Sequence, residues 1–310
     1  MTTYTIEPER AALHGKFSRE LPPVLTIDPG DTVIFRTLDS GWGLEGHHLD
    51  GTPRRRFEPR DSEYDDGHAL CGPIAVRGAE PGLTLVVRID AIRPGAWGAT
   101  YAGGWDCEVN HRLGMTETEL LMLWILGADR LTARNQFGHT VTLRPFMGVM
   151  GMPPAEPGWH PTSPPRVTGG NLDCKELIAG STLYLPVAVP GGLFSVGDGH
   201  AVQGDGEVCV TAIECPMERV ALTFDLRAGE PLKAPRANTA AGWITLGVHE
   251  DLHEAYYLAL EAMLDLMTVQ YPLSRQQALA LASLVVDFRI TQNVNGVRGV
   301  HAVLPHGALA

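Results

Sequence analysis

The chain has 310 residues, with 44% hydrophobic and 19% charged residues and a formal net charge of −12. With no clustered basic face, this acidic balance excludes a nucleic-acid partner. No apolar run reaches the ~18 residues a membrane helix needs, so a membrane partner is not expected. The five cysteines form no CxxC pair, so neither a disulfide framework nor a thiolate zinc site is expected. A reducing cytoplasm is the simplest setting. The opening MTTYTIEPER has no apolar stretch of signal-peptide type.

The 35 glycines and 23 prolines imply many turns between short strands. In chain order, PVLTIDPGDTVIFRT (23–37) reads as strand, Pro-Gly turn, strand. GPIAVRGAEPGLTLVVRIDAI (72–92) repeats that design, and STLYLPVAV, EVCVTAIE and RVALTFDL extend it. Residues 1–225 therefore read as all-β. The basic run Arg54-Arg55-Arg56 and the histidines His47 and His48 read as solvated loop. Beyond about 240 the period changes. HEDLHEAYYLALEAMLDLMTVQY places apolar residues three and four apart, an amphipathic helix of about five turns. Ser274 caps a second helical pattern, LSRQQALALASLVVDFRI, and GVRGVHAVLP returns to a strand. Residues 226–310 thus form an α+β portion with two helices.

Two glycine-rich segments carry polar residues at strand spacing. In TGGNLDCKEL, Asn171 and Asp173 lie two apart and share a face if extended. In GDGHAVQGDGEVCVTAIE, the same holds for Asp198 and His200. Glu207 opens the strand-like run that Glu214 closes, and in a regular strand these two face opposite sides. Carboxylate oxygens and imidazole nitrogens together bind divalent ions. A set of Asp173, Asp198 and His200 leaves positions open for water and substrate, which is the catalytic arrangement. A capped turn explains the first segment equally well. Cys71 and Ser195 sit in no nucleophile motif.

The stretch HPTSPPRVTGGNLDCKELIAGSTLYLPVAVPGGLFSVGDGHAVQGDGEVCVTAIE resembles the acetamidase/formamidase family. So do IDPGDTVIFRTLD, GPIAVRGAEPGLTLVVRI and DFRITQNVNGVRGVHAVLP, in order along nearly the whole chain. The resemblance implies a mainly β fold with a double β-sandwich core and a C-terminal α+β portion. It implies a metal-dependent hydrolase that cleaves the C–N bond of small amides of formamide or acetamide type. The cofactor implied is a divalent ion, zinc first, with manganese, iron or calcium as alternatives. Asp173, Asp198 and His200 become its ligands, Glu214 and His68 the catalytic groups, and Asn171 and Asp39 the substrate-binding ones. The partners implied are a small amide and further copies of the chain, at least as a homodimer. A lactamase on the same fold and a non-enzymatic, metal-stabilised β-sandwich binding module are the alternatives. The sequence departs from the family pattern at His68-Ala69-Leu70-Cys71-Gly72-Pro73 and at Asp39-Ser40-Gly41-Trp42-Gly43-Leu44, both on the substrate side.

Overall fold

The computed structural model describes residues 1–229 and 231–309. Strands flanking the Pro-Gly turns bury alternate side chains. In Thr32–Thr37 the buried set is Val33, Phe35 and Thr37; Thr84–Pro94 buries Leu85, Val87 and Ile89. That period of two lets each strand join a sheet with one face against a core.

Nine strands form one sheet, in the order Thr3–Ile6, Thr32–Thr37, Met217–Arg227, Thr84–Pro94, Thr182–Pro186, Arg236–Thr239, Gly242–His249, Val297–Leu304, Asp287–Asn295. The last four come from the end of the chain, so one sheet runs through both segments. A second sheet orders Gly169–Asn171, Phe146–Gly151, Phe194–His200, Leu70–Val76 and Leu13–His14, with Leu25–Ile27 parallel to Leu70–Val76. A third is antiparallel: Thr140–Thr142, Thr132–Asn135, Leu120–Leu126, Trp97–Ala102. The main core fills the space between the first two sheets. Phe194 from one meets Phe224 from the other edge to face, with ring centroids 5.1 Å apart. The mainly β architecture that the turn spacing implies is the one that forms.

The helix Leu252–Gln270 is capped by Asp251, which accepts from the His253 and Glu254 amides. It packs on the strand Gly242–His249 so closely that a Cβ on Gly247 would lie 2.0 Å from the Ala255 carbonyl oxygen. The helix Arg275–Val285 begins with the Ser274–Gln277 capping box. Among the described residues no helix is long and apolar enough to cross a membrane.

Three local expectations are corrected. EVCVTAIE is not a strand: Glu207 and Val210 take left-handed φ values of 46° and 72°, which break an extended run. DFRI does not continue the second helix. It begins the strand Asp287–Asn295, where Phe288 pairs with Ala302 of the neighbouring strand. The β-rich part also contains one short helix, Glu108–Leu113, closed by Gly114 at φ 69°.

Candidate metal and active site

The site forms where the six-stranded and four-stranded sheets meet. His200 ends the strand Phe194–His200, and Glu214 lies opposite it in an antiparallel bridge; Glu214 bridges in turn to Ala99. Hydrogen bonds flank the His200–Glu214 pair, from Cys215 N to Gly199 O at 2.8 Å and from Ala201 N to Ile213 O at 2.9 Å. It is thus the close, non-hydrogen-bonded kind of antiparallel pair. His200 Nε2 accordingly lies 3.2 Å from Glu214 Oε1 and 3.3 Å from Asp198 Oδ1.

Asp173 follows the edge strand Gly169–Asn171 and brings its Oδ1 to 4.0 Å from His200 Nδ1. Candidate ligand atoms of Asp173, Asp198 and His200 lie within 4.8 Å of one another, as do those of His200, Glu207 and Glu214. Simple alternation does not create this convergence. Asp173, Asp198 and Glu207 hold φ values of 48°, 56° and 46°, in the left-handed region. Each such residue costs of order 1 kcal/mol or more, and strain of this kind clusters at functional sites. Because Asp198 is not extended, its strand kinks past Gly148, whose neighbours Met147 and Val149 pair with Gly199 and Gly197. A Cβ on Gly148 would stand 2.4 Å from Asp198 Oδ2, 2.8 Å from Asp173 Oδ1 and 2.9 Å from His200 Cε1. Gly148 is the floor over which the three side chains meet.

Four carboxylates and one imidazole are thus gathered at 5% exposure or less. Burial drives the Asp173 carboxyl up to about 8 against the pull of the His200 charge. Burial, with Asp173 next, raises Glu207 well above the carboxylate range, and burial raises Glu214. Asp198 is held below the carboxylate range: burial opposes this, but the charge of His200, seconded by His68, prevails. His200 is raised well above its usual value, since Glu214 and Asp198 outweigh its own burial. Asp173 Oδ1 and both ring nitrogens of His200 are buried without a hydrogen-bond partner. Buried polar atoms are normally paired. Four buried carboxyl groups around one imidazole, with ligand atoms left unpaired and converging, form a donor set that could hold a divalent cation. The residues fit such an ion.

Of the residues singled out in the sequence, Asp173, Asp198, His200 and Glu214 come together. Glu214 is held by Ser40 Oγ, donating to Oε2 at 2.9 Å, and by the Ala212 amide, donating to Oε1 at 2.9 Å. His68 is half-buried and near enough for its charge to act on Asp198, its amide donating to Thr162 Oγ1 at 2.9 Å and its Nδ1 without a partner. The Asn171 amide donates to Ser163 O at 3.0 Å, leaving its Oδ1 buried and unpaired. The Asp39 carboxylate is taken up internally, by the Gly43 amide at 2.6 Å and by Arg54. That ion pair corrects one expectation: Arg54 is buried, and only Arg55 and Arg56 of the basic run are exposed.

Glu207 and Asn295 complete the cluster. Asn295 Nδ2 donates to Asp173 Oδ2 at 3.1 Å and to Glu207 Oε2 at 3.4 Å. Glu207 was hidden by the parity of a strand that does not exist, and Asn295 and Gly148 carry no local signal. Cys71 is buried and its thiol is pushed up to about 12, so it offers no thiolate. Cavities of about 640 and 410 Å³ lie elsewhere and are lined by none of the cluster residues.

The sheets and this centre define a mainly β protein with a buried carboxylate–histidine site suited to a divalent ion. Residues 2–161 and 155–306 match the model of the Acetamidase/Formamidase family, and the chain belongs to that family. It is 28% identical over 254 residues to a putative formamidase of Schizosaccharomyces pombe, covering 64% of this chain and 60% of that one. To a formamidase of Methylophilus methylotrophus it is 26% identical over 268 residues, covering 70% and 63%. The chain thus spans less than two thirds of the length of these curated relatives. A predicted acetamidase/formamidase from Thermoanaerobacter tengcongensis superposes with a TM-score of 0.85 at 27% identity, covering 98% of this chain and 96% of that one.

Proposed function

We propose that the protein is a metal-dependent amidase that hydrolyses small aliphatic amides to carboxylate and ammonia. The observation that carries this reading is the buried, strained cluster whose ligand atoms lack partners, with one carboxylate held beside it by its own hydrogen bonds. Asp173, Asp198 and His200 hold the ion, and imidazole with carboxylates suits zinc. When bound, such an ion polarises an amide carbonyl and acidifies water.

The protein's own groups do the rest. Glu214 takes a proton from the attacking water and hands it to the departing nitrogen. Ser40 and the Ala212 amide fix its position, and its burial-raised affinity for a proton suits both halves of the task. Glu207, linked to Asp173 through Asn295, keeps the Asp173 carboxylate oriented. His68, half-buried and acting on Asp198, donates to the amide oxygen as charge develops. The five free cysteines support a reducing, cytoplasmic setting, and the resemblance supports a homodimer or larger assembly.

The test is ammonia release from formamide, acetamide and a simple lactam, before and after dialysis against chelator. Metal-dependent release from the open-chain amides is expected. Release from the lactam alone, or release that survives complete metal removal, would overturn the assignment.

A further inference from the structure

Residues directly opposite each other in antiparallel pairing share a face. His200 pairs with Glu214 and Glu214 with Ala99, so all three project to one side. Trp97 and Tyr101 lie two residues to either side of Ala99 on the strand Trp97–Ala102, and they share that side. Ala99, between two taller groups, carries only a methyl group. At one end the Arg54 guanidinium lies over the Trp97 ring, 5.8 Å from its centroid. At the other the Tyr101 hydroxyl and His47 Nε2 are hydrogen-bonded at 2.6 Å. Trp97, Tyr101 and His47 are all half-buried, and they border the buried Ala99 and Glu214.

Arg54 is packed in beside these groups by Asp39, Gly41 and Gly43. Its side chain is 3% exposed and its only hydrogen-bonded partner among the described residues is Asp39. Cβ atoms on Gly41 and Gly43 would meet the guanidinium at 2.6 and 2.3 Å, so these two glycines make room for it. Yet Nε is buried with no partner. An unmet buried donor is costly, and a ligand that pairs with it removes that cost. Asp39 already supplies the counter-charge, and the carboxylates of the cluster disfavour a further anion nearby. What the free donor lacks is a neutral acceptor, a carbonyl oxygen.

Resting on the amidase reading, we propose that Arg54 is a specificity-determining residue that selects amides carrying a second carbonyl group. Neighbouring strands lie about 4.8 Å apart and two residues span about 6.6 Å, which puts the Trp97 and Glu214 backbones about 8 Å apart along the diagonal. With one hydrogen bond at its far carbonyl, a diamide of three or four carbons spans a distance of that order.

The experiment compares malonamide and succinamide with butyramide and valeramide, and with the anion succinamate, on the metal-loaded protein. We expect the wild type to favour the diamides by about tenfold in kcat/KM, the worth of one well-placed hydrogen bond. Arg54→Lys keeps a cation beside Asp39 but removes the planar donors. In that variant the diamide-to-monoamide ratio falls to near one, through KM rather than kcat. Calorimetric binding of succinamide gives a readout independent of turnover, and its loss in R54K is expected. Succinamide binding that depends on Arg54 while no amide is hydrolysed upholds the inference and sinks the amidase reading. Hydrolysis of butyramide with no diamide preference does the reverse. A preference for succinamate, or an R54K variant that loses both substrates equally, also overturns it.

Discussion

Gly148→Ala is the sharpest test of the site. One methyl group is added at a position whose φ any residue can adopt, so backbone strain plays no part. The new carbon would lie 2.4 Å from Asp198 Oδ2 and 2.8 Å from Asp173 Oδ1, where ordinary contact begins near 3.4 Å. Both carboxylates must retreat by roughly 0.6 to 1 Å, and His200 must tilt. Asp173 and Asp198 are buried and hold strained backbone, so neither can move freely. Overpacking of this kind costs about 1–3 kcal/mol of stability. Misplacing catalytic geometry by about 1 Å costs on the order of 100-fold in rate, and disturbed ligand orientation costs roughly 10- to 100-fold in metal affinity. The assay is zinc affinity by competition with a chromophoric chelator, beside kcat and thermal melting. Gly204→Ala is the control, with nothing within 4 Å of its added carbon. A G148A protein that binds zinc as tightly as G204A would refute the site's geometry.

Other expectations follow from the same arrangement. Asp173→Asn and His200→Ala should each lose metal and activity together, read by elemental analysis and ammonia release; full activity in either would remove it from the ligand set. Glu214→Gln should retain the metal and lose turnover by on the order of 100-fold or more, the range for a general base, whereas loss of metal would make Glu214 a ligand. Chelation should abolish activity while leaving most of the far-UV circular dichroism, because the sheets have their own core; unfolding would mark a structural ion.

Stability should also fall on the acid side through His14. This histidine is buried against Lys16 O at 2.7 Å and Ser195 Oγ at 2.9 Å, and burial lowers it from 6.5 to about 4. Between those values the unfolded chain binds a proton that the folded chain does not. The His14 contribution therefore declines as pH falls from about 6.5 towards 4, by up to about 3 kcal/mol, and is flat above pH 7. Urea titrations of wild type and His14→Gln at pH 7 and 4.5 measure it; identical pH slopes would show that His14 plays no part.

Much of the protein is set by local chemistry and so is readable from the chain. Pro-Gly turns with alternating apolar residues determine the strands at 32–37 and 84–94, and Asp251 and Ser274 determine where the two helices start. The motifs around Asp173, Asp198 and His200 identify the family, and the fold brings these three residues together. Tertiary structure decides what depends on partners distant in sequence. Glu207 joins the cluster because left-handed backbone, not strand parity, aims its side chain. Asn295 arrives from the far end of the chain, and Gly148 matters only because three side chains from two other segments converge above it. Arg54 reads as one of three solvated basic residues, and only the ion pair with Asp39 and the room left by Gly41 and Gly43 turn it inward, over Trp97. Hydrophobic period and capping act within a few residues, whereas charge pairing and steric room are properties of neighbours that only the fold assembles.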